Sequence, residues 1–184
     1  MRSSVQVLPL SFSRPPLLVL LMAGVLACVG CASYLSNLVT DESGFDGAVT
    51  VIETRMDGPY GVLLARVPYL DIYGMEKEGR ARLVVHRSTL RSGNAAPAFC
   101  HVHYELGVDG AKRWAEQGWA VFSTVYNEDA PIDVSPGDGN NLARAIIQWA
   151  RRLPFIDGVR LHLDGGSQGG YMAVSYTHLT LPTK

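Results

Sequence analysis

The chain has 184 residues, a formal net charge of −1 and a hydrophobic share of 47%. This length suits one domain, since most domains contain roughly 100–150 residues, and the hydrophobic share is ordinary for a globular protein. The near-neutral charge and the lack of basic runs exclude the electrostatic footprint of a nucleic-acid-binding protein.

The N-terminal segment 1–27 has the features of an export signal. Arg2 and Arg14 precede an apolar run over 17–27. The run is shorter than the ~20 apolar residues of a membrane-spanning helix, and its basic flank and terminal position are typical of a secretory signal. We therefore expect 1–27 to be a signal peptide.

Two cysteines follow this apolar run, Cys28 after Ala27 and Cys31 after Gly30. The pattern resembles a bacterial lipoprotein signal, in which the cysteine after a small residue is lipidated and becomes the new N-terminus. The resemblance implies lipidation at Cys28, with Cys31 or plain signal cleavage as alternatives. It also implies a polar tether over 28–47 and a place in the bacterial cell envelope. There the protein is anchored to a membrane, on the periplasmic side of the outer membrane, or it is secreted.

The domain expected over 48–173 begins with three stretches rich in β-branched residues, which predict strands. They cover 48–55, 60–66 and 81–87. Short turns separate them, as in antiparallel neighbours. We therefore expect an antiparallel β lead-in.

From residue 97 onward, strand patterns alternate with helix patterns. Strands are predicted over 97–103, 119–125 and 159–163, and helices over 108–117 and from a cap at Asn140 or Asn141 to Pro154. Cys100 and His162 lie within apolar strands and are expected in the core. The alternation predicts an α/β fold: a mostly parallel sheet with the antiparallel lead-in and with helices on both faces, binding ligands at the carboxyl ends of its strands.

The last predicted strand leads into Gly165-Gly166-Ser167-Gln168-Gly169, a G-x-S-x-G sequence. A nucleophilic serine needs a sharp strand-to-helix turn, and the positions two before and two after it must be small. The same turn aims the backbone N–H of Gln168 at a developing oxyanion. A phosphate-binding loop is disfavoured because no Gly-Lys-Ser/Thr follows, and a simple tight turn is the remaining alternative.

On these residues the chain resembles the α/β-hydrolase superfamily. Within it, the chain is similar to prolyl-oligopeptidase-like serine peptidases and to acetyl xylan esterase or cephalosporin deacetylase-like enzymes. They share a Gly-x-Ser-Gln-Gly-Gly run, here 165–170, and a Trp-Ala-x-x-Gly-Trp-Ala-Val pattern fits 114–121. The resemblance covers about residues 80–173 and implies a partial α/β-hydrolase fold.

The resemblance also implies a second oxyanion donor just after the strand at 97–103. Tyr104 is the candidate, through its backbone N–H or its phenol, although the local sequence departs from the usual His-Gly-Gly or His-Gly-Tyr run. His101 and His103 lie on one strand face, but no third ligand at suitable spacing indicates a metal site. We expect neither a metal nor a cofactor, and His103 is expected to orient the oxyanion loop.

The final segment, 174–184, is Thr-rich and contains a proline where a helix should continue. It resembles a translated sequencing-library adapter, because the codons of a widely used transposon end spell 174–183. We therefore expect 174–184 to be non-native and give His178 no catalytic role.

In the superfamily the triad follows the chain order Ser, then Asp or Glu, then His. We therefore expect the parent protein to be a serine hydrolase acting on a small ester or peptide. The 184-residue chain, which lacks the later acid and histidine, is expected to be an inactive fragment. An oligopeptidase and a non-catalytic envelope binding protein of the same fold are the alternatives.

Overall fold

A computed structural model describes residues 49–102, 105–125 and 136–180 of the chain. The strands are β1 (Thr50–Asp57), β2 (Tyr60–Leu70), β3 (Glu76–His86), β4 (Ala96–His101), β5 (Ala120–Val125) and β6 (Ile156–Asp164). The helices are α1 (Arg87–Arg91), α2 (Val108–Ala115), α3 (Pro136–Arg152) and α4 (Gln168–Thr180). Strands and helices alternate from β4 onward, as the sequence predicts.

The six strands of the described chain form one sheet in the order β1-β2-β3-β5-β4-β6. β1, β2 and β3 form an antiparallel meander, and β3 is also antiparallel to β5. β4 lies between β5 and β6 and is parallel to both. The antiparallel lead-in and the parallel part with helical crossovers are therefore both present.

The strand directions bring several segments to one end of the sheet, which we call the upper end. It holds the tip of the β2–β3 hairpin and the C-terminal ends of β4, β5 and β6. Thr50, the first residue of β1, pairs with Arg66 near the end of β2, so β1 also begins at this end. Because ligands of parallel sheets bind beyond the carboxyl ends of the strands, the upper end is where a site is expected.

Apolar side chains are buried on both faces of the sheet. One face packs against α3, whose core residues recur at helical spacing: Leu142, Ala145, Ile146, Trp149 and Ala150. The other face packs against α2, with a core that includes Val84, Phe99, Ala111, Ala115 and Val121. With both faces covered, β5 is buried over its first five residues, in agreement with its continuous apolar pattern.

The predicted start of α3 is wrong. The helix begins at Pro136, ahead of the expected cap at Asn140 or Asn141. Asn141 instead donates its side-chain N–H to the carbonyl of Leu70 at the hairpin tip, at 2.9 Å. Pro136 suits the first turn, where a missing N–H costs no helical hydrogen bond.

The two predicted core residues differ in outcome. Cys100 is fully buried, as expected. His162 is exposed, contrary to the prediction. Because β6 is an edge strand of the described sheet, the His162 ring is covered by neighbours on one side only, and it stacks on Phe99 with ring centroids 5.3 Å apart.

α4 continues through Thr180, although the sequence pattern indicates a break in helical periodicity after Ala173. Helix propagation from the preceding turns is easier than nucleation and overrides the weak helix propensity of the threonines. Among the described helices, none is both long enough and apolar enough to span a membrane.

Candidate active site

Ser167 lies in a sharp turn between β6 and α4. β6 ends at Asp164 and α4 begins at Gln168, so residues 165–167 alone connect strand and helix. Ser167 has a φ of 51°, the one positive φ of a non-glycine residue in the described chain. Its side chain is exposed. The turn therefore presents the hydroxyl to solvent at the upper end of the sheet.

Gly165 is the point where strand and helix backbones approach each other. A Cβ built at position 165 lies 2.5 Å from the carbonyl carbon of Gly169 and 2.6 Å from its oxygen. Backbone atoms cannot swing aside as a flexible side chain can. A Cβ at the neighbouring Gly166, by contrast, meets nothing within 4 Å. The glycine two positions before Ser167 thus has a direct steric cause.

The turn leaves a backbone donor free beside Ser167. The carbonyl of Ser167 accepts from the N–H groups of Gly170 at 3.0 Å and Tyr171 at 3.3 Å. Within the described part of the chain, the N–H of Gln168 has no acceptor. Free N–H groups at the start of a helix carry partial positive charge. This N–H is therefore available to donate to an anionic group bound beside Ser167.

His101 and Asp164 form a hydrogen-bonded pair that the sequence reasoning missed. They are register partners at the ends of β4 and β6, and Nδ1 of His101 lies 2.8 Å from Oδ2 of Asp164. The N–H of Val102 also donates to the carbonyl of Asp164, at 2.9 Å. These contacts hold the end of β6 three residues before Ser167. The available signal was that each residue ends a strand, but strand order was needed to bring the two together.

Cys100 lies in β4 below this pair and is not a candidate nucleophile. Burial raises the pKa of its thiol from 9.0 to about 12. The reactive thiolate is therefore almost absent at neutral pH. Ser167 is the exposed nucleophile candidate at the upper end.

Several predicted site residues lie outside the described residues: Tyr104, His103 and Cys28. Their roles as oxyanion donor, loop-orienting residue and lipidation site stay predictions. Across residues 49–102, 105–125 and 136–180, no group of three or more His, Cys, Asp and Glu side chains is placed to hold a metal ion.

Comparison with solved structures identifies the fold of the chain. A candidate acetyl xylan esterase from Bacteroides fragilis NCTC 9343 matches with a TM-score of 0.52 and 9% identity, over 79% of this chain and 48% of that chain. The chain has part of an α/β-hydrolase fold. No protein-family model and no curated protein matches its sequence.

Two further α/β-hydrolase-like structures resemble the chain. The S-formylglutathione hydrolase from Agrobacterium tumefaciens has a TM-score of 0.49 and 12% identity, over 71% of this chain and 57% of that chain. A glucuronoyl esterase from Teredinibacter turnerae T7901 has a TM-score of 0.45 and 13% identity, over 83% of this chain and 49% of that chain. The chain thus spans about half the length of these structures.

Proposed function

We propose that the protein to which this chain belongs is a serine hydrolase that cleaves an ester or peptide bond through an acyl-enzyme on Ser167. The positive φ of Ser167 in the turn between β6 and α4 carries the proposal. A side chain in that conformation costs roughly 1–2 kcal/mol, which a glycine would avoid. Strain of this kind is concentrated at functional sites.

In the proposed reaction, Oγ of Ser167 attacks the acyl carbon and a general base takes the hydroxyl proton. The carbonyl oxygen becomes an oxyanion, which accepts from the free N–H of Gln168 and from Tyr104. Collapse of the tetrahedral intermediate expels the alcohol or amine, which receives the proton. Water then repeats the sequence on the acyl-enzyme, releasing the acid and the free Ser167 hydroxyl.

We also propose that the 184-residue chain is inactive by itself. In the described residues, no imidazole hydrogen-bonds the Ser167 hydroxyl, and Nδ1 of His101 is engaged by Asp164. The resemblance places the triad acid and histidine after the serine in chain order. Without a base, a serine hydroxyl is a weak nucleophile.

An ester of a small acyl group is the favoured substrate. The support is the likeness to the candidate acetyl xylan esterase, the comparison with the highest TM-score of those above. A peptide substrate is the second candidate, supported by the resemblance of the 165–170 run to oligopeptidases.

A fluorophosphonate probe tests this function on the longer gene product and on the 184-residue chain. We expect labelling of the longer product, none of its Ser167→Ala variant, and none of the short chain. Ser88→Ala is the matched control, an exposed serine on α1. Hydrolysis of p-nitrophenyl acetate should fall at least about 1,000-fold in Ser167→Ala only. If the longer product were not labelled, the protein would be a non-catalytic binding protein with this fold. If it cleaved a peptide anilide faster than the ester, it would be an oligopeptidase.

We further propose that Cys28 is lipidated and anchors the protein to the periplasmic side of the outer membrane. Metabolic labelling with an alkynyl fatty acid in a bacterial host should tag the parent chain and Cys31→Ser, but not Cys28→Ser. Tagging lost only in Cys31→Ser would move the anchor to Cys31. No tagging of any variant would indicate plain cleavage and secretion.

A further inference from the structure

The tip of the β2–β3 hairpin, residues 70–75, exposes a concentrated apolar surface. Its large side chains are Leu70, Ile72, Tyr73 and Met75, which are 55%, 52%, 80% and 54% exposed. They make up half of the eight exposed large hydrophobic residues in the described chain. Apolar residues clustered in this way mark interaction surfaces, whereas single exposed ones are ordinary. We propose that this tip inserts shallowly into a phospholipid bilayer.

The backbone N–H groups of the tip have acceptors within the protein. The N–H of Asp71 donates to Met75 O at 2.9 Å, and that of Gly74 to Asp71 O at 3.1 Å. The N–H groups of Tyr73 and Met75 donate to Oδ1 of Asp71 at 2.9 and 2.8 Å. The N–H of Ile72 donates to Oδ1 of Asp138 on α3 at 2.9 Å. Every N–H from 71 to 75 is therefore paired within the protein, and no donor would be left unpaired in lipid.

The tip is also held rigidly. The Asp71 carboxylate that organises it is buried, and Asn141 of α3 donates to the carbonyl of Leu70 at 2.9 Å. A rigid protrusion loses little conformational entropy on insertion.

Charged residues limit the depth of insertion. Glu76, Lys77 and Glu78 follow the tip directly and are exposed. They pair across the hairpin with residues 68–70, so they lie immediately behind the apolar side chains. Charges are costly in the hydrocarbon core, whereas a tyrosine such as Tyr73 is favourable at the interface. The tip is thus expected to reach the headgroup and upper acyl region. With two carboxylates to one amine, it favours zwitterionic over anionic lipid.

The proposed anchor brings the tip to a membrane without fixing its orientation. Residues 29–48 separate Cys28 from Val49. Twenty residues span at most about 70 Å, so their number does not by itself select the face of the domain that meets the bilayer. Because β1 begins at the upper end, the tether enters the domain on the same side as the tip. Tethering raises the effective concentration of the tip at the surface, so a weak affinity suffices to orient the domain.

Vesicle binding of the full 184-residue chain tests this inference independently of any hydrolase activity. The probe is phosphatidylcholine vesicles, and the variants are Ile72→Ser/Tyr73→Ser and the control Val159→Ser. Val159 is 91% exposed, on β6 away from the tip. All variants share residues 1–48. The ratio of the vesicle partition coefficients of parent and variant therefore measures the contribution of the substituted residues. We expect about a tenfold drop for the double variant and no more than about a twofold change for the control. An equal drop in the control would overturn the proposal, and so would an unchanged double variant whose position 73 is also not quenched in the second test.

Depth-resolved quenching keeps the test decisive if the shared N-terminal segment binds every variant tightly. Tyr73→Trp and Val159→Trp are compared on vesicles containing brominated phosphatidylcholine, against the background of the native tryptophans. We expect lipid quenching of the added fluorescence at position 73 and none at 159. Absence of quenching at 73 would overturn the bilayer proposal, and a dimer in sedimentation that Ile72→Ser/Tyr73→Ser abolishes would then assign the tip to a second copy.

Discussion

The upper end of the sheet contains two tight turns, and they differ in which residue adopts the left-handed backbone conformation. At the hairpin tip, the positive φ of 78° falls on Gly74, which accepts it without strain. Between β6 and α4, a φ of 51° falls on Ser167, directly after Gly166. The tip pairs each of its N–H groups, whereas the Ser167 turn leaves the N–H of Gln168 free.

The two turns thus differ in backbone strain and in how their N–H groups are paired. The tip uses a buried carboxylate and a glycine to lower its own free energy. The Ser167 turn keeps a strained residue next to the unpaired N–H of a helix start; the unpaired N–H is ordinary there, whereas the left-handed serine is not. Variants at the two turns test this contrast.

The largest effect is expected for Gly165→Ala. Its Cβ meets backbone atoms of Gly169 at 2.5 and 2.6 Å, so strand and helix must separate. We expect a loss of about 3 kcal/mol in the free energy of unfolding, the upper range for overpacking, measured by urea denaturation. Gly166→Ala is the matched control, with a change below about 1 kcal/mol. Equal losses in the two variants would contradict the steric reading of the turn.

Asp71→Ala tests the other turn. It leaves the N–H groups of Tyr73 and Met75 without their buried acceptor. We expect destabilisation by about 2 kcal/mol, with Asp71→Asn losing less because its amide oxygen can still accept. Urea denaturation of the three proteins checks this order. A change within ~0.5 kcal/mol for Asp71→Ala would show that the carboxylate does not organise the tip.

A pH series tests whether water reaches the buried thiol of Cys100 in the sheet beneath the Ser167 turn. Cys100 pairs with Leu163 of β6, and burial raises the pKa of its thiol to about 12, above the ordinary 9.0. Above pH 9 the unfolded chain loses this proton while the folded chain keeps it, so stability falls as pH rises. Between pH 8 and 10 the loss should be about 1.4 kcal/mol greater in the parent chain than in Cys100→Ala. Parallel pH profiles would mean that water reaches the thiol.

The smallest effect is expected for Ser167→Gly. Glycine relieves the left-handed strain but increases the entropy of the unfolded chain, so the net gain is about 1 kcal/mol over Ser167→Ala. Thermal unfolding of the two variants measures it, and neither should react with a fluorophosphonate in the longer protein. If Ser167→Ala proved the more stable variant, the serine would not be strained.

Much of the Ser167 turn could be predicted because its cause is local. The glycine spacing, the apolar strand before it and the helix after it all lie within about twenty residues of sequence. The steric contact between Gly165 and Gly169 is a property of that short segment. The same applies to β5, whose continuous apolar pattern reflects burial on both faces.

The hairpin tip and the His101–Asp164 pair could not be predicted in the same way. The sequence reasoning began the third strand at residue 81, whereas β3 begins at Glu76, and this left the apolar tip unnoticed. The expected cap residue Asn141 hydrogen-bonds the tip instead of capping α3. The start of β3 is a local hairpin pairing that the strand pattern missed, whereas the Asn141–Leu70 bond and the His101–Asp164 pair each join residues more than sixty positions apart.

Hydrophobic periodicity and glycine spacing act over a few residues, so the sequence alone predicts most strands and helices and the place of the serine turn, although not the starts of β3 and α3. Tertiary structure alone decided the strand order, which inserts β4 between β5 and β6 and so joins His101 to Asp164. It also decided that the hairpin tip, the start of β1 and Ser167 share one end of the sheet. Such choices depend on the total burial of both sheet faces and on backbone pairing between distant segments, which no local pattern encodes.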